Sequence, residues 1–186
     1  MQGWMIWAGF GAVVLFFVVL YNRFISLVQA RKNAFSDIDV QLKLRYDLVP
    51  NLIETVKGYA AHEKSVLENV TTARAAAMRG GSISDRIGAE AALTSSLMSL
   101  MAVAENYPQL KANDNFRQLQ SELADIENKI AAARRFFNST TGEYNTAIRQ
   151  FPGVLLARLF GFSEEIFFEL SAGEKDAANQ APKVGF

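Results

Sequence analysis

Apolar side chains recur along this chain at alternating spacings of three and four residues. From Phe24 the series runs through Val28, Arg31, Phe35, Ile38, Leu42, Arg45, Val49, Leu52, Val56, Tyr59, Glu63, Val66, Val70, Ala73 and Ala77, and only Arg31, Arg45 and Glu63 are charged. A stripe with a period near 3.5 marks one face of a helix packed at a shallow crossing angle, as in bundles and coiled coils. Residues 24 to 79 as one helix would measure roughly 84 Å. Pro50 falls inside the series. It removes a backbone donor and crowds the carbonyl of Tyr46, at a cost of around 3 kcal/mol in a helix interior. The stripe holds its phase on both sides of Pro50, which predicts a kinked but continuous helix rather than a turn. Gly80-Gly81 is the first clear stop, and Ser82 or Ser84 can cap the helix that follows.

A second helix is expected from about Ser84 to Tyr107, with Ile87, Ala91, Leu93, Leu97, Leu100, Met101 and Ala104 available for burial. Pro108 ends it. After a short linker, Asn113 or Asp114 can cap a third helix reaching about Gln150. Its stripe is Phe116, Leu119, Leu123, Ile126, Ile130, Ala133, Phe137, Thr140, Tyr144, Ala147 and Phe151. No segment alternates as a strand would. The pattern predicts an all-α fold, a membrane-spanning N-terminal helix continuing into an antiparallel bundle of long helices over residues 23–170. The small, polar stretch 171–186 is expected to be disordered.

The membrane span is read from residues 1–22, which carry no charged side chain. Gly3 to Tyr21 would extend roughly 29 Å as a helix, close to the thickness of a bilayer's hydrocarbon core. Trp4 and Trp7 lie near one end and Tyr21 at the other, where interfacial aromatics belong, with Phe10, Leu15, Phe16 and Phe17 between. A cleaved signal peptide would need a basic start, a shorter apolar core and a small-residue cleavage site, none of which fits. Arg23, Arg31 and Lys32 follow the span and no basic residue precedes it. The positive-inside rule then places the N-terminus outside and the C-terminal domain in the cytoplasm.

Composition narrows the choices. The 186 residues contain no Cys, so disulfides and Cys-ligated metals are excluded. Lys plus Arg and Asp plus Glu are both 19, for zero net charge. Such a balance argues against nucleic-acid binding, which depends on neutralising phosphates. His62-Glu63 lacks the second histidine of a zincin, since position 66 is Val. No phosphate-binding loop, dinucleotide fingerprint or nucleophile elbow is present. No catalytic, cofactor-binding or metal site is therefore assigned, and the chain is read as non-enzymatic.

Several motifs in order do point to a family. They include Lys32-Asn33-Ala34-Phe35, Arg45-Tyr46-Asp47-Leu48-Val49-Pro50-Asn51-Leu52-Ile53-Glu54-Thr55-Val56-Lys57-Gly58-Tyr59, Ala104-Glu105-Asn106-Tyr107-Pro108, Leu119-Gln120-Ser121-Glu122-Leu123, Tyr144-Asn145 and Phe160-Gly161-Phe162. Together these resemble the LemA family of bacterial membrane-anchored proteins, over nearly the whole chain to about Leu170. The resemblance implies an inner-membrane protein with a single N-terminal span, a small external N-terminus and a cytoplasmic helical bundle. It implies no activity; some relatives are linked with membrane-compartment formation, others with membrane-protease neighbourhoods.

Charges on the seam are expected to pair, because a buried charge is costly alone. Laying the third helix against the first places Arg134 level with Glu63 and Glu122 within reach of Arg45. Around Pro50, Asp47, Asn51, Glu54 and Lys57 form a polar group, and Asn51 is a candidate partner for the carbonyl that the proline frees. Phe24, Val28, Phe35, Ile38 and Leu42, with Leu155, Leu159, Phe160 and Phe162, form an apolar packing or oligomer surface. The segment from Phe24 to Leu42 is expected to lack cover within one chain. The resulting expectation is a membrane-anchored, self-associating helical scaffold with lipid and copies of itself as partners, and no nucleic acid. An adaptor or regulator of a membrane protease or signalling system, with a membrane-protein partner, is the alternative.

Overall fold

The structure, a computed structural model, describes residues 3–60 and 62–168. The expected disordered tail at 171–186 lies outside the described residues. Helix α1 is Gly3–Lys57, α2 Lys64–Ala77, α3 Ile83–Glu105, α4 Pro108–Lys111, α5 Asp114–Arg149 and α6 Gly153–Phe160. There is no strand among the described residues. The helices fall into two compact units. Among the described residues, one joins 3–39 to 132–167, and the other joins 40–60 and 62–131 to Phe168.

Helix α1 passes through Pro50 without a break, as the constant phase of the stripe predicted. It does not continue to residue 79. Gly58 lies just past its end, where the amides of Tyr59 and Ala60 both donate to the Val56 carbonyl at 3.0 and 2.8 Å. Glycine is a poor helix former, and here the chain reverses. Arg74 of α2 reaches Tyr46 of α1, and the Tyr46 hydroxyl lies 3.4 Å from the Ala77 carbonyl. Residues about equally far from the 58–63 connection therefore meet, which defines an antiparallel hairpin.

The expectation of one continuous helix reaching residue 79 failed for a geometrical reason. A three–four pattern reads the same in both directions. Arg45, Val49, Leu52, Val56 and Tyr59 are mirrored by Ala77, Ala73, Val70, Val66 and Glu63 about the connection. Phase continuity is therefore equally compatible with a helix that folds back.

The hairpin also accounts for Pro50. In an unbroken helix the residue-50 amide would donate to the carbonyl of Tyr46. Proline has no such donor. Arg74 supplies one, with its Nε donating to the Tyr46 carbonyl oxygen at 2.7 Å. Asn51, the residue expected to take this role, is exposed, and its own carbonyl accepts the Thr55 hydroxyl at 2.8 Å.

The core of the second unit is built from the predicted stripes. Leu42, Val49, Leu52 and Val56 of α1 are buried, with Val70 and Ala77 of α2, Leu93, Leu97 and Leu100 of α3, and Phe116, Leu123 and Ile130 of α5. Helix α2 packs on α3. Gly80 and Gly81 make the turn between them with φ of 72° and 125°, a region that favours glycine. Ser82 caps α3 in a capping box with Asp85. The Ser82 hydroxyl and amide hold the Asp85 carboxyl below its usual range. A depressed folded-state value means that this cap's contribution is complete above the ordinary aspartate range and is lost as pH falls through it. Asn113 caps α5, its Oδ1 accepting the Phe116 amide at 2.9 Å. Helix α3 is itself long and apolar enough to cross a membrane. It buries Leu93, Leu97, Leu100 and Ala104 along one stripe, however, together with the charged Glu90.

Candidate functional site

Two arrangements stand out, one in each unit. In the first unit, α1 begins as an apolar stretch with no burial at all. Trp4, Trp7, Phe10, Leu15, Phe16, Phe17 and Tyr21 are all exposed. One turn later the same helix enters a protein core. Phe24 and Leu27 are buried with Tyr144 and Ile148 of α5 and Leu156 and Ala157 of α6, and Val28 packs against this cluster. Phe162 crosses Phe24 with ring centroids 5.3 Å apart.

This cluster corrects the expected oligomer surface. Phe24, Ile38 and Leu42 are fully covered within the chain, and Val28, Phe35 and Phe162 are half-buried. Phe35 stacks on Phe137 at 5.6 Å. Of the residues named for that surface, Leu155, Leu159 and Phe160 remain exposed, at 55%, 77% and 55%. Phe24, Val28 and Phe35 found their cover in α5 and α6, whose contribution could not be placed before the chain's path was known.

Helix α6 sits close because of a glycine. A Cβ on Gly153 would overlap the Ala147 carbonyl oxygen and approach the Phe24 ring to 3.0 Å. Gly153→Ala is therefore expected to cost about 1–3 kcal/mol as an overpacked contact. Hydrogen exchange of the full chain in detergent should show faster exchange in α6; protection equal to wild type would refute the tight approach. At its other end α6 stops at Gly161, φ 74°, where the Phe162 amide returns to the Ala157 carbonyl at 2.9 Å.

Beyond Gly161 the chain is neither helix nor strand, and side chains tie it down. The Tyr144 hydroxyl donates to the Ser163 carbonyl at 3.0 Å. The Asn145 amide makes two bonds to Glu165, donating to its carbonyl and accepting its N–H, both at 2.9 Å. Arg31, a seam charge, is half-buried here. Its guanidinium lies 4.8 Å from the Phe137 ring centroid, donates to Thr141 at 3.1 Å and pairs with the Glu165 carboxylate at 3.1 Å. Burial raises the Tyr144 hydroxyl's pKa, the Glu165 charge adds to the rise, and Arg31 opposes it. Thr141 and Glu165 were not singled out from the sequence, and Asn145 only as part of a family motif, because nothing local marks residues that meet 20 or more positions away.

The second arrangement surrounds Arg45. Its side chain is wholly buried, contrary to a residue that snorkels to water. It pairs with Glu90 of α3, which is 1% exposed, and with Glu127 of α5 at 2.7 Å, and it donates to Thr94 at 3.2 Å. The Tyr46 hydroxyl donates to the second oxygen of Glu90. The expected partner was Glu122, one turn earlier on α5. Glu122 instead accepts from Gln118 at 2.9 Å. The expected Glu63–Arg134 pair is likewise not among the contacts of Glu63, whose carboxylate accepts the Tyr107 hydroxyl at 3.3 Å. Glu90 did carry a signal: counting back by four and three through Leu100, Leu97 and Leu93 puts it on the α3 seam.

Around Pro50, Asp47, Asn51, Glu54 and Lys57 all face solvent, with Glu54 and Lys57 3.4 Å apart. Among the described residues no group of three or more acidic or histidine side chains could hold a metal ion.

A bundle of α-helices whose first helix begins as an uncharged, exposed stretch of membrane-spanning length defines a membrane-associated helical protein. The family model for the LemA family matches residues 34–186. The chain belongs to the LemA family. It is also similar to the magnetosome protein MamQ of Magnetospirillum gryphiswaldense, 27% identical over 190 residues, covering 88% of this chain and 70% of that protein. Magnetosome protein MamQ 2 of Paramagnetospirillum magneticum is 26% identical over 193 residues, covering 88% and 71%.

Proposed function

We propose that this protein is a single-pass, non-catalytic scaffold at the cytoplasmic face of a bacterial inner membrane, where copies of it associate and organise or shape the bilayer. The observation that carries this is the continuity of α1, which is uncharged and exposed over residues 4–19 and is buried at Phe24 and Leu27 in the core formed with α5 and α6. Arg23 and Lys32, both exposed, favour a cytoplasmic bundle. The similarity to proteins named for the magnetosome favours a role in membrane organisation over catalysis.

Self-association no longer draws support from the Phe24–Leu42 stripe. It draws support from the span, where Ala8, Gly11 and Ala12 share one helix face, and small residues at this spacing let neighbouring spans approach closely. Mass photometry of the detergent-solubilised full chain over a wide concentration range tests it. Assemblies larger than one chain are expected. A monomer throughout would overturn self-association, and a stable complex with another membrane protein on pull-down would then favour the adaptor alternative.

A further inference from the structure

We propose that α6 is a second membrane-contacting element, lying in the lipid interface beside the span with Phe151, Leu155, Leu159 and Phe160 turned into the acyl region. This rests on α1 being the membrane anchor, and it adds a lipid-binding surface that the anchor does not require.

Helix α6 is apolar on both faces. Leu156 and Ala157 enter the core against Phe24 and Leu27, while Leu155, Leu159 and Phe160 face out, and Phe151 just before the helix is 81% exposed. A short helix that is apolar on both faces but for Arg158, and covered on only one side, needs a second apolar environment.

Its position identifies that environment. The Phe160 ring lies 5.0 Å from Tyr21, and Phe162 lies 6.0 Å from the same ring. Between α6 and the span is a groove of about 330 Å³ lined by Val14, Phe17, Val18 and Tyr21 on one side and Leu156 and Phe160 on the other. Val14 to Tyr21 belong to the apolar stretch. A bilayer that covers them must also cover this groove, and an acyl chain is the matching occupant for walls with almost no polar surface. Interfacial helices sink their apolar face about 5–10 Å into the headgroup–acyl boundary, which is the depth this reading requires of α6. Arg158 is the only charge on α6 and is exposed, as is Arg23 just beyond the span. Their long stems allow both guanidinium groups to reach lipid phosphates.

The chain has no cysteine, so single cysteines can be placed and labelled without background. The test uses the full chain in vesicles of phosphatidylglycerol and phosphatidylcholine, carrying an environment-sensitive fluorophore at Leu159→Cys, Phe17→Cys or Ser99→Cys, all exposed positions. Doxyl-labelled lipids with the quencher high or low on the acyl chain report depth. The label at 159 is expected to be quenched several-fold more than the one at 99, and more by the shallow quencher than the deep one. Strong quenching at 17 with none at 159 would overturn the interfacial helix and leave the anchor intact. A blue-shifted label at 159 that escapes lipid quenching and depends on protein density would overturn it in favour of a second copy. Absence of quenching at 17 would overturn both the anchor and this proposal.

Discussion

Replacing Arg45 with methionine will destabilise the protein by about 3–5 kcal/mol, the usual cost of leaving one member of a buried ion pair without its partner. Glu90 is 1% exposed, so its carboxylate would lose its guanidinium without gaining water. Glu90→Leu is expected to cost a similar amount, moderated by Glu127, whose side chain is 36% exposed and still pairs with Arg45. The double variant should recover most of the loss, because apolar side chains of similar volume often replace a buried pair at little net cost. Tyr46 would then lose its main acceptor, with the Ala77 carbonyl 3.4 Å away as the nearest substitute. Urea unfolding of the full chain in detergent, followed by helical circular dichroism, measures all three variants. Singles within experimental error of wild type, or a double whose loss is the sum of the two, would contradict the cluster described here.

The second large effect concerns the backbone at Pro50. Arg74→Ala should cost about 1–3 kcal/mol, since it removes a charged donor from the Tyr46 carbonyl in a partly buried place. Pro50→Ala restores the helical donor and should stabilise by up to about 3 kcal/mol. The informative comparison is Arg74→Ala in the Pro50→Ala background, where its cost should fall sharply. An equal cost in both backgrounds would show that Arg74 acts through something other than that carbonyl. The same unfolding measurement separates the outcomes.

These two sites show what the sequence could and could not convey. The apolar stripes were legible, and residues from Leu42 to Ile130 at three–four spacing form the observed core. The caps were legible to within a pair of residues, Ser82 or Ser84 and Asn113 or Asp114, because capping is settled within four residues; Ser82 and Asn113 take the role. The reversal at Gly58 was not legible from phase, since the pattern is symmetrical under reversal. Once the hairpin is known, the Arg74–Tyr46 contact follows from counting outward from the connection. Seam charges were recognised as needing partners, but their partners depended on which helices flank α1. An alignment assuming that α1 extends to residue 79 placed Glu122 opposite Arg45, whereas the folded-back hairpin leaves Arg45 facing α3 and Glu127. The ties on residues 163–166 were the least legible, because they join side chains of α1 and α5 to a segment with no periodic pattern.

Those ties have a consequence of their own. Tyr144 and Asn145 grip Ser163 and Glu165 through amide and carbonyl groups that every residue except proline possesses. The clamp therefore recognises the shape of an extended polypeptide rather than its identity. The carboxylates at 164 and 165, facing Arg149 and Arg31, add the letters of the address. Position 163, held by its carbonyl, can therefore vary without loosening the seat, whereas 165 must keep its N–H.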